Sequence, residues 1–570
     1  VFAGNEFSDT HQNSNRARSA RVLFLIPHQI LNPHNFFGPD ATIRIMNLRF
    51  LHSKSRPRPK PIAPALAAIL SQRSETNVPA NSQIRIDVAS VLWITALSLG
   101  LIILFGAVQI AAPGLVGNDG YYHLKMAVLQ KTTLLKGGLA PTFTWLPLTI
   151  LKADAYYDHH WLFHVLLTPF VSANLLAGGK IATVIFATSA LAMAGWLLRS
   201  HDVKSAGLWT ILIFAASTGF VYRLSMLRAQ SLSLLWLLAA IYCLLRRREC
   251  WLVVVGLTYV WLYDAFPLLL LVAGLYFVLA RLLEGEWRWG ALVYSSLGLG
   301  LGLIVNPYFP QALTFIYHHL IAKLDPTSLP VGNEWYPYTT TLLLSNAGLA
   351  IVAFLIGCLA LGLTRQRLTL PTALFFGLSV LFGAMLMQSR RFVEYFPAFA
   401  ILFCAFACQP LWTNLPFRKG AAVLFALTVV VATGLTLRTT RATLADEPDP
   451  TLFAGAANWL ATHTPQGSLV FQTDWDDFTR LFFYNTHNTY TIGLDPTYLE
   501  RADPVRYYLW IDLTQGRGLD LSQDIRQQFG AEYVVSDLKH TAFLNRAASD
   551  PQMEEVYRDE NSIVYHVHGQ

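Results

Sequence analysis

Long apolar runs separated by short polar turns dominate the chain from residue 88 onward. The first run, near 88–112, contains "SVLWITALSLGLIILFGAVQIAA" without a charge. Further runs follow near 181–198, 206–222, 231–245, 251–263, 264–283, 290–306, 342–363, 370–387, 391–409 and 420–437. A helix rises about 1.5 Å per residue, so about 20 apolar residues cross a bilayer, fewer where the membrane is thin or partners help. The pattern predicts about eleven transmembrane helices, with 11–13 as the range. Two polar stretches interrupt it, 113–180 and 306–341, and read as large loops on one side of the membrane.

Composition agrees with this pattern. Hydrophobic residues make up 54% of the chain and charged ones only 14%, with mean hydropathy +0.40. Soluble proteins carry about 25% charged residues. The aromatic share is 13%, and many Trp and Tyr fall at the ends of apolar runs, where amphipathic rings suit the interface.

Charge divides the chain. Residues 442–570 hold 19 Asp/Glu against 8 Lys/Arg, whereas the remainder holds 16 against 34. Much of the basic excess lies in short loops such as "RSHDVKS", "RRRE", "RQR" and "FRK", the pattern of cytoplasmic membrane loops, so nucleic acid is not the expected partner. Residues 1–87 are polar and basic and read as a disordered cytoplasmic extension. The five cysteines (243, 250, 358, 404 and 408) lie in or beside apolar runs and form no disulfide or metal pattern.

Residues 161–177 are ambiguous. Counted as a span, they would put Arg246, Arg247 and Arg248 outside; as a helix along the outer face, they leave every basic loop inside. The second reading places the N-terminus in the cytoplasm and residues 438–570 outside, in the periplasm of a bacterial-type inner membrane. That last region alternates helical and strand patterns: "PTLFAGAANWLATH", "SLVFQ", "SQDIRQQFG", "EYVVSD" and "SIVYHVH". It predicts a small α/β domain.

With this topology the polar residues gather on the outer face. Asp119, Tyr122, His123, Asp158, His159, His160 and His164 belong to the first loop. Arg223, Arg228 and Asp264 occupy outer turns; Asn306, His318, His319, Glu334 and Trp335 occupy the second loop; Arg390, Arg391 and Glu394 stand at a span end. Ionisable groups beside spans mark function or internal pairing. Two readings of Asp119 stand, helix cap and chemical centre. For Arg390 and Arg391, a lipid phosphate is one partner and Glu394, at helical spacing, the other. The histidines are weak metal candidates, since adjacent histidines point apart on a helix.

An acidic first outer loop, a second large outer loop, an Arg-rich outer span end and an external α/β domain together resemble the GT-C integral-membrane glycosyltransferases, above all the oligosaccharyltransferase catalytic subunit, with O-mannosyl- and aminoarabinose transferases as wider relatives. The resemblance covers about residue 88 to the end and rests on layout. It implies transfer of a sugar from a polyprenyl-phosphate or polyprenyl-pyrophosphate donor to an external acceptor, which is a protein, lipid or glycan. It implies that Asp119 is the catalytic or metal-binding acid and that Arg390, Arg391 and Arg228 hold the donor phosphate. Glu334, with Trp335, matches the loop glutamate of oligosaccharyltransferases. Trp475 and Asp476 in "TDWDDF" match part of the Trp-Trp-Asp-Tyr-Gly signature, of which the first Trp, the Tyr and the Gly are absent. A divalent cation, Mg or Mn, would sit on Asp119 with Asp158; a metal-free route stays open beside it. The rival class is a transporter or flippase for an anionic or lipid-linked substrate, which calls for a site near the midplane.

Overall fold

The computed structural model describes residues 88–317, 332–364, 368–414, 418–518 and 520–569. His318, His319 and the 1–87 extension lie outside them. The chain divides into two units after residue 91. Of the first, only Val88–Val91 are described, as the opening turn of a helix. All that follows concerns the second, Leu92–Gln570.

The eleven expected runs fall on apolar helices, with 206–222 divided between two and 391–409 opening on a 3₁₀ turn. Five are long and apolar enough to cross a membrane alone: Val88–Gln109, Leu175–Ser200, Thr340–Thr364, Leu370–Gln388 and Lys419–Ala445. A sixth arises if Ala206–Ala215 and Thr218–Ser225, bent by 86° at their junction, are one span. The rest, such as Gln230–Leu245 and Trp289–Ile304, are shorter apolar helices. Ile103, Leu363 and Leu424 on the long helices are exposed, so apolar faces are left for lipid. The chain is a multi-pass membrane protein.

Local chemistry sets the breaks. Ser217 takes an extended backbone (φ −161°) and its hydroxyl accepts from Phe220 N at 3.0 Å, capping the Thr218–Ser225 helix. Thr369 and Pro371 open Leu370–Gln388 in the same manner. Helices Leu252–Leu262 and Trp289–Ile304 approach through glycine: a Cβ on Gly298 would lie 2.5 Å from Val253 O. The 161–177 segment forms only Trp161–Leu167 and the turn Thr168–Phe170, too short to span.

Helix Arg418–Ala445 leads into a five-stranded sheet of order β2-β1-β3-β5-β4. Its strands are β1 (Leu469–Gln472), β2 (Thr489–Tyr490), β3 (Tyr533–Asp537), β4 (Met553–Arg558) and β5 (Ser562–Val567). β1 runs parallel to β2 and β3; β5 runs antiparallel to β3 and β4. β1 and β3 place Val470 and Val534 in the core, and "TDWDDF" follows the carboxyl end of β1. In open α/β sheets that is the end at which ligands are met.

Candidate functional site

The loop "GNDG" is held by three local features. Gly117 takes φ +70°, and a Cβ there would lie 2.5 Å from Met226 Cε. Val116 bridges Met226 in parallel register, which sets Asp119 beside Arg228. Gly117 N donates to Glu447 Oε2 at 3.0 Å, and Tyr222 Oη donates to Glu447 Oε1 at 2.8 Å. Asp119 begins the Asp119–Leu135 helix, while Asn118 takes the cap position and caps nothing with its side chain. The Asp119 carboxylate instead pairs with Arg228 Nε at 2.9 Å.

Arg228 starts a network. Its Nη1 lies 3.1 Å from Glu334 Oε2, which also accepts from Arg223 Nη1 at 2.8 Å. Arg391 Nη1 stands 3.4 Å from Glu334 Oε1. Three guanidinium groups thus converge on one carboxylate. Each also has a partner of its own: Asp119 for Arg228, Glu394 for Arg223 (Nε, 2.6 Å) and the Tyr263 hydroxyl for Arg391 (Nη2, 2.6 Å). Burial opposes ionisation of Glu334, but Arg228, Arg223 and Arg391 outweigh it and hold the carboxyl well below the usual carboxylate range. Trp335 lies under Arg391, 4.9 Å from guanidinium carbon to ring centre.

Arg390 goes elsewhere. Its Nη2 donates to Pro337 O at 3.3 Å and its guanidinium covers Tyr338. The pairing of Arg390 or Arg391 with Glu394 through hydrogen bonds is replaced by Arg223–Glu394, because the Arg390–Glu394 segment is a 3₁₀ turn and not the α-helix that such spacing assumes. Nothing in the sequence singled out Arg223 from Arg228, or Tyr263 from other interface tyrosines.

A second chain of polar groups runs beneath. Asp158 Oδ2 takes the Nδ1 proton of His164 at 2.6 Å, and His164 Nε2 meets His123 Nδ1 at 2.9 Å. In the tautomer of His164 that carries its proton on Nδ1, Nε2 accepts and His123 Nδ1 donates, which leaves Nε2 of a neutral His123 without a proton. Burial, then His164 and Arg228, push the His123 imidazole well below its ordinary range. His159 stacks on Phe315 at 5.0 Å. Tyr122, on the same helix as His123, points inward. It is buried among His164, Phe478 and Phe482, with its hydroxyl 3.2 Å from that of Tyr156.

The expected cation pair does not fit this arrangement. Both Asp158 oxygens are engaged, by His164 and by His160 N at 3.0 Å, and the residue is buried. Asp119 already faces a fixed cation, Arg228, which would repel a second. Among the described residues, the group of three with metal-ligand spacing is Glu554, His566 and His568 on the β4–β5 hairpin.

The sheet domain reaches the loop through Asn118. Asn118 Nδ2 donates to Asp476 Oδ2 at 2.5 Å, and Asn118 Oδ1 accepts from Arg480 Nε at 2.9 Å. Burial and the Asp474 and Asp119 carboxylates push Asp476 up to about 7. Trp475 lies 3.9 Å from where a Gly332 side chain would begin, beside the Glu334 turn.

No family model matches the sequence, and no curated protein matches it either. Solved structures do. The archaeal oligosaccharyltransferase AglB from Archaeoglobus fulgidus, in complex with an inhibitory peptide and a dolichol-phosphate, superposes with TM-score 0.58 at 14% identity, over 85% of this chain and 75% of that one. ArnT from Cupriavidus metallidurans bound to undecaprenyl phosphate gives TM-score 0.50 at 16% identity, over 84% and 99%. The mycobacterial arabinofuranosyltransferase AftD gives 0.53 at 15% identity, over 84% of this chain but 40% of AftD. The chain therefore shares the overall fold of these solved structures.

Proposed function

We propose that the protein is a membrane glycosyltransferase that moves a sugar from a polyprenyl-phosphate-linked donor to an acceptor on the extracytoplasmic face. The observation that carries this reading is the convergence of Arg223, Arg228 and Arg391 beside Asp119 on one end of the helical bundle. Guanidinium forks suit a phosphate, and an ionised acid beside them suits an acceptor. The fold adds support, since dolichol-phosphate and undecaprenyl phosphate are bound in the AglB and ArnT structures. Arg246, Arg247 and Arg248 follow the far end of the Gln230–Leu245 helix whose near end follows Arg228. The positive-inside rule then puts the site end outside.

The acceptor oxygen attacks the anomeric carbon of the donor sugar as its bond to the phosphate oxygen breaks. Asp119 takes the acceptor proton. The arginines stabilise the negative charge gained by the leaving lipid phosphate. Trp335, beside Arg391, and Trp475, beside Gly332, are the flat faces we assign to the sugar.

The broken span Ala206–Ala215/Thr218–Ser225 is one feature that a transporter would also show. Its polar network, however, is built from helix ends and turns rather than from residues in the middle of spans.

The test uses purified protein in lipid nanodiscs supplied with a panel of polyprenyl-linked sugars together with a panel of protein, lipid and glycan acceptors, reading release of polyprenyl phosphate by thin-layer chromatography. The unsubstituted chain should release it, and Asp119→Asn should lose about a hundredfold or more in rate while still inserting and purifying normally. Full activity of Asp119→Asn would remove Asp119 from the chemistry. No release from any donor would sink the assignment.

A further inference from the structure

Among the described residues, Glu334 is the one carboxylate shared by all three arginines of the network, and each arginine has a separate partner besides it. Each arginine is therefore anchored at a second point as well as at Glu334. The backbone of Glu334 is pinned independently: Ser389 Oγ donates to Glu334 O at 2.8 Å, and Arg390 N donates to Tyr336 O at 3.0 Å. Its side chain can therefore leave while the turn stays in place. The carboxylate is 22% exposed, against 1% for Glu394; Asp119, at 32%, also reaches the open side but pairs with Arg228 alone, whereas Glu334 faces all three arginines.

From this we infer that Glu334 occupies the position of the donor phosphate in the empty protein and is exchanged for it on binding. The inference rests on the lipid-phosphate reading above and adds the chemistry of the headgroup. A carboxylate offers two oxygens to guanidinium forks, as the two non-bridging oxygens of a phosphodiester do. The exchange is also one charge for one. A sugar joined through a single phosphate carries one negative charge and leaves the balance of the cluster as it was. A sugar joined through a diphosphate brings two, and the second meets Asp119 and Glu394 with no added cation. The site accordingly selects polyprenyl-monophosphate-linked sugars over diphosphate-linked ones. When transfer is complete, the displaced carboxylate competes for the arginines again and helps expel the product phosphate.

Binding can be measured without knowing the sugar. The probes are a short polyprenyl methyl phosphodiester and the matching polyprenyl methyl diphosphate, titrated against nanodisc-embedded protein. Glu334→Gln keeps the size and hydrogen-bonding oxygen but removes the competing charge. It should bind the phosphodiester about tenfold more tightly than the unsubstituted chain does. The unsubstituted chain should prefer the phosphodiester to the diphosphate. Equal or weaker binding by Glu334→Gln overturns the exchange while the lipid-phosphate reading stands. Preference for the diphosphate overturns the charge match. Binding of neither probe to either protein sinks the lipid-phosphate reading, and the exchange with it. A second measurement needs no variant: carbodiimide labelling of Glu334 in the unsubstituted chain, read by mass spectrometry, should rise when the phosphodiester saturates the site. Unchanged labelling at saturation also overturns the exchange.

Discussion

Arg390 and Arg391 are neighbours with different surroundings. Arg391 faces Glu334 and the Tyr263 hydroxyl, whereas Arg390 is tied to the Pro337 carbonyl and the Tyr338 ring. Sequence alone made them equivalent, because two adjacent residues at a span end differ only by the turn that follows. Arg391→Ala should weaken binding of a polyprenyl phosphodiester by about tenfold or more, since a charge-assisted contact is lost, while Arg390→Ala should stay within about threefold. Equal effects in the same titration would contradict the distinction. Asp476 supports a different prediction. Its folded pKa of about 7 lies above that of an ordinary aspartate, so between these values the folded state holds a proton that the unfolded state has lost. Stability then falls as pH rises, fully present below the unfolded value and lost through about 7. Asp474 and Asp477 are raised by burial too, and His540, raised by Asp537 against its own burial, has the same sign. The depressed His123 has the opposite sign, so the readout is the difference between the two proteins: Asp476→Asn should gain melting temperature relative to the unsubstituted chain as pH rises from 5 to 8. A difference that does not change with pH would remove Asp476 as a contributor.

The helices were legible from hydropathy because each apolar run is bounded by charges or by Gly and Pro. Their lengths were less so. "GLWTILIFAASTGFVYRLS" reads as one run, yet it folds as two helices bent by 86°. The cause is local: Ser217 prefers to cap a helix over continuing one. That bend aims Arg223 at Glu334 and Glu394. The Ser217 hydroxyl also donates to Asn346 O, tying the bend to the Thr340–Thr364 helix. Ser217→Ala should cost about 1 kcal/mol, as lost caps do, and lower the melting temperature. It should also weaken phosphodiester binding, because Arg223 loses its aim; Ser217→Thr should restore both. A melting loss without a binding loss would separate the bend from the site. The sheet shows the converse limit. β1, β3 and β5 are apolar and were expected, whereas β4 reads "MEEVYR" with exposed Glu554 and Glu555, the polar composition of an edge strand. β2 is two residues long, below what alternation can reveal.

At the scale of the whole molecule, the acidic composition of 442–570 marked out a distinct region but not where it docks. Docking relies on pairs more than 300 residues apart. Arg480 is buried, donates to Asn118 Oδ1 and Asp449 O at 2.9 Å each, and covers the Tyr121 ring at 4.3 Å. Trp145 Nε1 donates to Thr486 O at 2.9 Å, and Tyr490 N to Trp145 O at 2.8 Å. Around them Tyr122, Phe143, Phe478 and Phe482 form one apolar cluster shared by the first loop and the sheet domain. No single-residue signal in sequence reports such a joint, since Arg480 reads as a surface residue of a short helix. The same joint holds Asn118, next to Asp119, so the sheet domain sets the position of the Asp119 loop. Arg480→Ala removes two hydrogen bonds and takes away the positive charge that opposes the upward push on Asp476 and Asp477. The contact should lose about 3 kcal/mol. The variant should still insert, because its spans are untouched, but should melt lower and be cleaved by protease near 446–450, where the chain passes from helix to sheet domain. Sugar transfer should fall with it, since Asn118 loses one of its two anchors. Arg480→Lys keeps the charge but not the planar fork and should recover only part of the loss. Protease resistance equal to that of the unsubstituted chain would show that the aromatic cluster alone holds the domain, and that Arg480 acts only on the loop.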